Sequence, residues 1–205
     1  MLNVRHLGTV AYDDAHALMK TLQRQRIDGD IPDTLLVLEH PEVVTVGPRA
    51  RNDGLAPPPD YEVHNVDRGG GLTWHGPGQI VFYPIVKWGE REGENSVAEI
   101  IHLIEGWVID ALERFGIEGG RDERMQGVWV SGRKICSIGL SFLRWVSRHG
   151  FTVNINTPPG RVEGVAGCGL VTDTTTSLAS LSHDLDPSAF TEALVDIVRL
   201  HLESR

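Results

Sequence analysis

Arg68-Gly-Gly-Gly-Leu-Thr-Trp-His-Gly-Pro-Gly-Gln79 is a segment in which five of the twelve residues are glycine. Glycine permits positive φ angles and close approach of the backbone to a ligand, and Pro77 stiffens the turn between two of the glycines. Because helices and ordinary strands do not tolerate this composition, the segment predicts a loop that presents its backbone. Arg68, His75 and Gln79 place a cation, an imidazole and an amide beside that backbone, a mixture typical of a small-molecule site.

Strands are predicted on both sides of this loop. Residues 62–66 lead into it and residues 80–86 leave it, so the site is expected on the rigid frame of a sheet. The segment has neither the Gly-Lys-Ser/Thr ending of a phosphate-binding loop nor the order of the dinucleotide fingerprint. The predicted ligand therefore belongs to another class.

The rest of the chain predicts more strands than helices. Strands are predicted at residues 4–7, 34–38 and 43–46, in a hairpin within residues 127–139 around Ser131-Gly132, and in a second hairpin that pairs residues 141–146 with 151–155 around Arg148-His149-Gly150. The strands at 34–38 and 43–46 are predicted to be neighbours, because only a short turn at His40-Pro41 separates them. Helices are predicted at residues 12–27, after the capping box Ser96-Val-Ala-Glu99 and after Asp186-Pro187.

Two residues outside the loop are candidates for chemistry. Strand alternation puts Lys134, Cys136 and Ile138 on one face, which is unusual for a water-facing strand and predicts that Lys134 points into a cleft. Cys168 lies in a long loop between two glycines, which leave space around its sulfur and neighbouring N–H groups free. Cys136 instead lies in an apolar strand, as structural cysteines do. Cys168 is therefore the predicted nucleophile.

Three segments together resemble one enzyme family. The glycine-rich loop, Gly132-Arg-Lys-Ile-Cys-Ser-Ile-Gly139 and Gly167-Cys-Gly-Leu170 resemble the substrate loop, the lysine strand and the nucleophile loop of bacterial lipoyl(octanoyl) transferases of lipoate biosynthesis. The resemblance runs from about residue 35 to about residue 178, and the order of the three motifs makes it more specific than any one of them. Family members often have proline before the nucleophilic cysteine, where this chain has Gly167.

The resemblance implies an α+β fold, a single catalytic domain over residues 1–205 with a mixed, mainly antiparallel sheet packed against helices, as in lipoate and biotin protein ligases. It implies that Cys168 and Lys134 are catalytic, and it leaves supporting roles open to His149 and Gln79. The substrate-binding residues that it implies are Arg68, Gly69, Gly70, Gly71, Leu72, Thr73, Trp74, His75, Ser137, Ile138, Gly139, Gly150, Phe151 and Thr152.

The implied reaction moves an octanoyl group from octanoyl-acyl carrier protein to a lysine of lipoyl domains, through a thioester on Cys168. The implied acceptors are the lipoyl domains of 2-oxoacid dehydrogenase complexes and the glycine cleavage H protein. Lys134 would stabilise the thiolate and then exchange protons, while His75 and His149 stay open as alternative bases. Three other functions are considered: an ATP-dependent lipoate or biotin-type ligase, which needs no thiol, a cysteine hydrolase, and a non-catalytic acyl-binding module.

Composition restricts the other function classes. A formal net charge of −9 and a pI near 5.4 argue against a nucleic-acid partner. The sequence has no His-x-x-x-His or Cys-x-x-Cys pair, so neither a metal nor a cofactor is expected. It shows no secretion signal or membrane-spanning run, so a cytoplasmic protein without membrane contact is predicted. A monomer is expected. Because acyl carrier and lipoyl domains are typically acidic, the arginines among residues 121–148 are candidates for a docking patch.

Overall fold

The protein has a mixed α+β fold in which two sheets pack with helices. The structure, a computed structural model, describes residues 1–165, 172 and 174–204. Within these residues there are a six-stranded sheet and a three-stranded sheet. The predicted fold class, a mixed and mainly antiparallel sheet backed by helices, is therefore confirmed.

The six-stranded sheet has the order β1-β2-β6-β9-β8-β7 in the described part of the chain. Its strands are β1 (Asn3–Thr9), β2 (Thr34–Glu39), β6 (Gln79–Ile85), β7 (Val128–Val130), β8 (Arg133–Leu143) and β9 (Val146–Asn154). Only the β1–β2 pair is parallel among these described strands, and the others are antiparallel. The long β8–β9 hairpin thus stands near one edge of the sheet.

The three-stranded sheet has the order β4-β3-β5 within the described residues. Its strands are β3 (Val43–Val46), β4 (Val63–Asn65) and β5 (Leu72–His75). The prediction that the strands at 34–38 and 43–46 are neighbours is wrong, because β2 pairs with β1 and β6 whereas β3 pairs with β4 and β5. The glycine-rich segment was predicted as a loop, and this is wrong for its middle, because Leu72–His75 form β5, which pairs antiparallel with β3.

Four α-helices are described: α1 (Tyr12–Asp28), α2 (Pro48–Asn52), α3 (Val97–Glu113) and α4 (Pro187–Glu203). The predicted caps are confirmed, because the Ser96 side chain accepts the N–H of Glu99 and Asp186 accepts the N–H groups of Ser188 and Ala189. A 3-10 turn at Ala179–Leu181 follows the cysteine-bearing segment. In the described part of the chain, no helix is long and apolar enough to cross a lipid bilayer.

The central strands are buried on both faces. In β2, Leu35 and Val37 belong to the core on one side, while Leu36 and Leu38 belong to the core on the other. This is the alternation that a strand imposes on successive side chains. Helices α3 and α4 cover the first face and α1 covers the second, so the sheet forms the middle layer of the molecule.

The second predicted hairpin is in the wrong place. The chain reverses at Arg144 and Trp145, which have φ angles of 49° and 61°, and residues 148–150 lie inside β9. Gly150 suggested a turn, but its backbone is close to the neighbouring strand: a Cβ there would lie 2.0 Å from the carbonyl oxygen of Phe82 in β6. Gly150 permits close packing of β9 against β6. In a sequence, a glycine that permits close packing cannot be distinguished from a glycine that forms a turn.

Candidate active site

A cavity of about 180 Å³ opens between the glycine-rich segment, β8 and the first turn of α3. Such a space, lined by apolar groups with a few polar ones, is typical of a small-molecule site. Its walls include Lys134 and nearly all of the predicted substrate-binding residues of the loop and of β8. The lining residues are Arg49, Arg68, Gly69, Gly70, Gly71, Leu72, Thr73, Trp74, Val97, Ile101, Met125, Gln126, Lys134, Ser137, Ile138, Gly139, Leu140, Asn154, Val162, Val165 and Thr175.

A second, smaller void of about 20 Å³ adjoins the first, and the two share the walls formed by Arg68, Thr73, Ser137, Ile138 and Gly139. Its remaining lining consists of Tyr12, His75, Tyr83, His149, Gly150, Phe151 and Thr152. Every predicted substrate-binding residue thus lines one void or the other. Gln79 lies behind them and does not line either void.

Arg68 holds the glycine loop in place. Its Nη2 donates to Thr45 O at 3.0 Å, Thr45 Oγ1 at 2.7 Å and Gly71 O at 3.0 Å, and its Nη1 donates to Gly69 O at 2.9 Å. The side chain is buried, with 6% of its surface exposed. A planar guanidinium with several donors is suited to this task, because it binds two carbonyls of the loop and one carbonyl of β3 at once.

The glycines of the site permit close backbone contacts. A Cβ on Gly47 would lie 2.3 Å from Gly70 O, and a Cβ on Gly139 would lie 2.8 Å from Gly69 O. Gly69 also donates its N–H to Leu140 O at 2.9 Å. The loop is therefore fixed between the end of β3 and the middle of β8, and so it bridges the two sheets.

Lys134 is buried in the wall of the cavity, with 5% of its surface exposed. Its side chain passes over Gly127, where a Cβ would lie 2.6 Å from Lys134 Cε. Its backbone N–H donates to Thr174 O and its carbonyl accepts the N–H of Thr176, both at 2.9 Å. The prediction that Lys134 points into a cleft is therefore confirmed.

Cys136 does not share the face of Lys134, contrary to the prediction. The register between β7 and β8 shifts, so that Trp129 is opposite Lys134 while Val128 is opposite Cys136, which places one extra residue on β8. Such a bulge interrupts the alternation of side chains. Cys136 is buried in the hydrophobic core, where desolvation raises its thiol pKa to about 12.

Cys168, the predicted nucleophile, lies outside the described residues, which stop at Val165 and resume at Thr172 and then Thr174. The described residues on both sides of its segment reach the cavity: Val165 before it and Thr175 after it are lining residues. Thr175 also forms a parallel bridge with Lys134. The chain enters and leaves this segment at the wall that contains Lys134.

His75 and Gln79 belong to a buried hydrogen-bond network. Gln79 Nε2 donates to Trp74 O and to Asn154 Oδ1, both at 2.8 Å, so its oxygen is the group that accepts from His75 Nδ1, also at 2.8 Å. His75 Nε2 then accepts the hydroxyl of Thr45 at 3.2 Å. With both ring nitrogens bound in this way, His75 orders the loop.

The histidines near the second void are held neutral by burial. Desolvation lowers the pKa of His75 well below its usual value and lowers that of His40. It also lowers the pKa of His149 to about 4, although the Asp67 carboxylate at 3.0 Å from His149 Nε2 acts in the opposite direction. These rings contact Tyr12 and Tyr83, with ring centroids 5.3 Å apart for Tyr12 and His40.

One group of possible metal ligands occurs among the described residues. Donor atoms of His16, Asp67 and His149 lie within 4.8 Å of one another. However, the Arg148 guanidinium binds the other oxygen of Asp67. Burial lowers the pKa of His16, and the charges of Lys20 and Arg148 lower it further. A divalent cation would meet this positive field, so the arrangement favours an ion pair that orients His149 over a metal site.

Several residues of the cavity could not be assigned from sequence. Val97 and Ile101 at the start of α3 line the cavity, as do Met125 and Gln126, although none of the four is among the predicted substrate-binding residues. Asn154 is 2% exposed and ends β9, between the buried Val153 and Ile155. An amide between two apolar residues is a usable signal, because a buried amide must find hydrogen-bond partners.

The arginines of the predicted docking patch are mostly bound to nearby carboxylates. Arg121 pairs with Glu105, Arg124 with Asp122, and Arg148 with Asp67. Arg144, at the exposed turn between β8 and β9, lies beside the exposed Leu143 and Trp145. The patch is therefore less positive than the sequence suggests.

Comparisons with known proteins agree with this geometry. The family model for the lipoyl protein ligase A/B catalytic domain matches residues 11–199. An octanoyltransferase from Rubrobacter xylanophilus is 43% identical over 178 residues, which cover 82% of this chain and 79% of that protein.

Solved structures share the fold at low identity. A bipartite lipoate protein ligase from Thermoplasma acidophilum has a TM-score of 0.68 at 12% identity and covers 100% of this chain and 86% of its own. The biotin protein ligase from Aquifex aeolicus has a TM-score of 0.58 at 13% identity, and the match covers 98% of this chain and 68% of that protein's chain. The architecture is thus that of lipoate and biotin protein ligases.

Proposed function

The chain belongs to the octanoyltransferases, acyltransferases with a lipoyl protein ligase A/B catalytic domain, and from this premise we propose that it transfers octanoyl groups from acyl carrier protein to lipoyl domains through a thioester on Cys168. One observation carries the proposal. The buried Lys134 lines a cavity that is also lined by Val165 and Thr175, the described residues on either side of the cysteine-bearing segment. This arrangement supports a mechanism in which the Cys168 thiol and the Lys134 ammonium act together at one wall of the cavity.

In the first half of the reaction, the Cys168 thiolate attacks the thioester carbonyl of the donor. A free thiol, with a pKa of about 8.5, is only slightly ionised at neutral pH, so a nearby ammonium increases the reactive fraction. Lys134 supplies that ammonium. The carbonyl carbon forms a bond to sulfur, the bond to the carrier thiol breaks, and the leaving thiolate takes the proton from Lys134.

In the second half, the acceptor lysine amine attacks the acyl-enzyme. The neutral Lys134 takes the proton that the amine loses, and the Cys168 thiolate leaves, which restores the starting state. N–H groups of the glycine-rich loop or beside Cys168 are the available donors to the oxyanion of each tetrahedral intermediate. Because hydrogen bonds occupy both nitrogens of His75, the geometry favours Lys134 over His75 as the base.

The two adjoining voids are the proposed acyl site. Leu72 and Ile138 line the first, and Ile138 and Phe151 line the second. Each buried methylene contributes about 0.8 kcal/mol, so a medium-length chain gains substantial affinity from such walls. We expect octanoyl donors to be preferred over palmitoyl donors, because the second void ends at the buried groups of Tyr12, Tyr83 and His149.

The proposed donor is octanoyl-acyl carrier protein, and the proposed acceptors are the lipoyl domains of 2-oxoacid dehydrogenase complexes and the glycine cleavage H protein. The monomeric state and the cytoplasmic location remain predictions from the sequence. The shared fold keeps an ATP-dependent ligase as the alternative function. Such a ligase would need ATP and a free acid, whereas the proposed transferase needs only the acyl thioester.

Mass spectrometry tests the proposal directly. The protein is incubated with octanoyl-acyl carrier protein without ATP, and intact and peptide masses are measured. We expect one added octanoyl group on the Cys168 peptide, its loss when a lipoyl domain is added, and no adduct in Cys168→Ser. Cys136→Ala is the matched control and should still be acylated, because Cys136 is buried in the core. Transfer by Cys168→Ser at the normal rate, or transfer only with ATP, would exclude the mechanism.

A further inference from the structure

Glu163 is a buried carboxylate that none of the catalytic steps above requires. It is 8% exposed and lies on the chain that leads into the cysteine-bearing segment. Among the described residues it has no ion-pair partner, and its oxygens accept hydrogen bonds instead. Burying a carboxylate without a cation is costly, and the three hydrogen-bond donors to Glu163 offset that cost.

These donors come from both sides of the cysteine-bearing segment. Oε2 accepts the N–H of Gly160 at 2.9 Å, on the leading side. Oε1 accepts the Thr176 hydroxyl at 2.8 Å and the Ser180 hydroxyl at 3.2 Å, both on the trailing side. One side chain thus connects the two flanks between which Cys168 lies.

The trailing flank is attached to the strand that carries Lys134. Thr176 donates its N–H to the Lys134 carbonyl at 2.9 Å, and its own carbonyl accepts the Asn154 amide at 2.9 Å. Asn154 Oδ1 in turn accepts a hydrogen bond from Gln79 Nε2 at 2.8 Å, and Gln79 is the last residue of the glycine-rich segment. A displacement of the leading flank relative to Thr176 is therefore a displacement relative to Lys134.

We infer that Glu163 is a positioning residue, which fixes the distance between the Cys168 thiol and the Lys134 ammonium by holding both flanks of the cysteine-bearing segment together. This inference rests on the proposed function for the role of the two groups. An acceptor-only group suits the position because Gly160 N–H and two hydroxyls all donate to it. Misplacement of reacting groups by about 1 Å can reduce the rate about a hundredfold, so such a connection matters to catalysis.

Thr176→Val is the test variant, because it removes one hydroxyl from the carboxylate and keeps the shape of the side chain. Glu163→Gln is the companion, since its amide N–H₂ cannot accept the hydrogen bonds that one carboxylate oxygen accepts. Thr176→Ser should restore the wild-type behaviour. Thr157→Val is the matched control: it makes the same chemical change nearby, on a buried hydroxyl that has no hydrogen-bond partner in the described residues.

The readout is the pH dependence of Cys168 alkylation by iodoacetamide, followed by peptide mass, together with kcat and KM for octanoyl transfer and the melting temperature. For Thr176→Val and Glu163→Gln we expect the thiol's apparent pKa to rise towards about 8.5, and kcat to fall roughly tenfold to a hundredfold with little change in the acceptor's KM. Thr176→Ser and Thr157→Val should keep the wild-type profile.

A folded Thr176→Val with an unchanged alkylation profile and a kcat within about twofold of wild type would refute the inference. If Thr176→Val does not fold, Ser180→Ala, which removes a weaker donor, must show a smaller shift in the same direction or the inference fails. Alkylation does not depend on acyl transfer, so the two proposals can be separated. A shifted thiol profile in a protein that never forms the acyl-enzyme would support the role of Glu163 and reject the proposed function.

Discussion

At the scale of single residues, the site is built from buried polar groups with specific partners. Arg68 binds carbonyls of its own loop, and Gln79 sets the tautomer of His75. Lys134 lines the cavity while its backbone pairs with Thr174 and Thr176. The mechanism therefore depends on which of the buried side chains, Lys134 or a histidine, can still accept and release a proton.

Lys134→Arg separates the two possible bases. Arginine keeps the cation but cannot deprotonate in a protein, so we expect kcat to fall by at least roughly a hundredfold while the thiol stays reactive towards iodoacetamide. His149→Ala should reduce kcat less, because burial already lowers the pKa of His149 to about 4. Steady-state kinetics on both variants, with melting temperatures as the control for folding, provide the measurement. Near-normal turnover by Lys134→Arg beside an inactive but folded His149→Ala would replace the cysteine–lysine pair with a cysteine–histidine pair.

At the scale of elements, β9 shows how one strand serves both the core and the site. Phe151 stacks on Phe82 of β6 with ring centroids 4.9 Å apart, while Gly150 and Thr152 line the second void. The close approach of β9 to β6 at Gly150 makes that stacking possible. An added methyl group at this position would have to displace the backbone of β6.

Gly150→Ala should therefore destabilise the protein. Its Cβ would lie 2.0 Å from Phe82 O and 2.6 Å from Pro84 Cδ, contacts that rigid neighbours cannot relieve cheaply. We expect a loss of about 1–3 kcal/mol in the free energy of unfolding, measured by urea denaturation. Gly120→Ala is the control, since a Cβ there would meet no heavy atom within 4 Å and its φ angle is not positive. Equal stability of the two variants would contradict the packing argument.

At the scale of the whole molecule, a cluster of aromatic and imidazole rings lies where the two sheets meet. His75 on β5 is 5.5 Å from His40 and 6.2 Å from Tyr12 of α1, between ring centroids. Tyr83 on β6 is 6.4 Å from His149 on β9. Burial keeps these histidines neutral, which links the assembly of the sheets to pH.

Stability should fall as the pH drops below about 6.5. The unfolded chain takes up protons near the ordinary histidine pKa, whereas burial lowers the pKa of His75 in the folded state, so the stabilisation is present above about 6.5 and is lost on acidification. For a histidine that stays neutral in the folded protein over this range, the loss between pH 7.5 and pH 5.5 is about 1.4 kcal/mol. Urea denaturation at the two pH values gives the difference, which should shrink in His75→Gln and persist in His6→Gln, whose side chain is exposed. An unchanged difference in His75→Gln would show that this histidine is not involved.

The sequence by itself determined the local features of this protein. The caps of α3 and α4, the strand β2 and the glycine-rich site segment follow from neighbouring residues, because caps, short apolar strands and turn chemistry depend on short spacings. The three ordered motifs also identified the family, and the single domain over residues 1–205 stays a prediction.

Only the tertiary structure decided which distant groups meet. The glycine at 150 indicated a turn but proved to be a point of contact between β9 and β6, and a bulge moved Cys136 from the face of Lys134 into the core. The hydrogen bonds of Glu163 to Thr176 and of Asn154 to Gln79 join residues that are 13 and 75 positions apart in the sequence. Such contacts depend on strand register and packing across the molecule, which residue spacing alone does not encode.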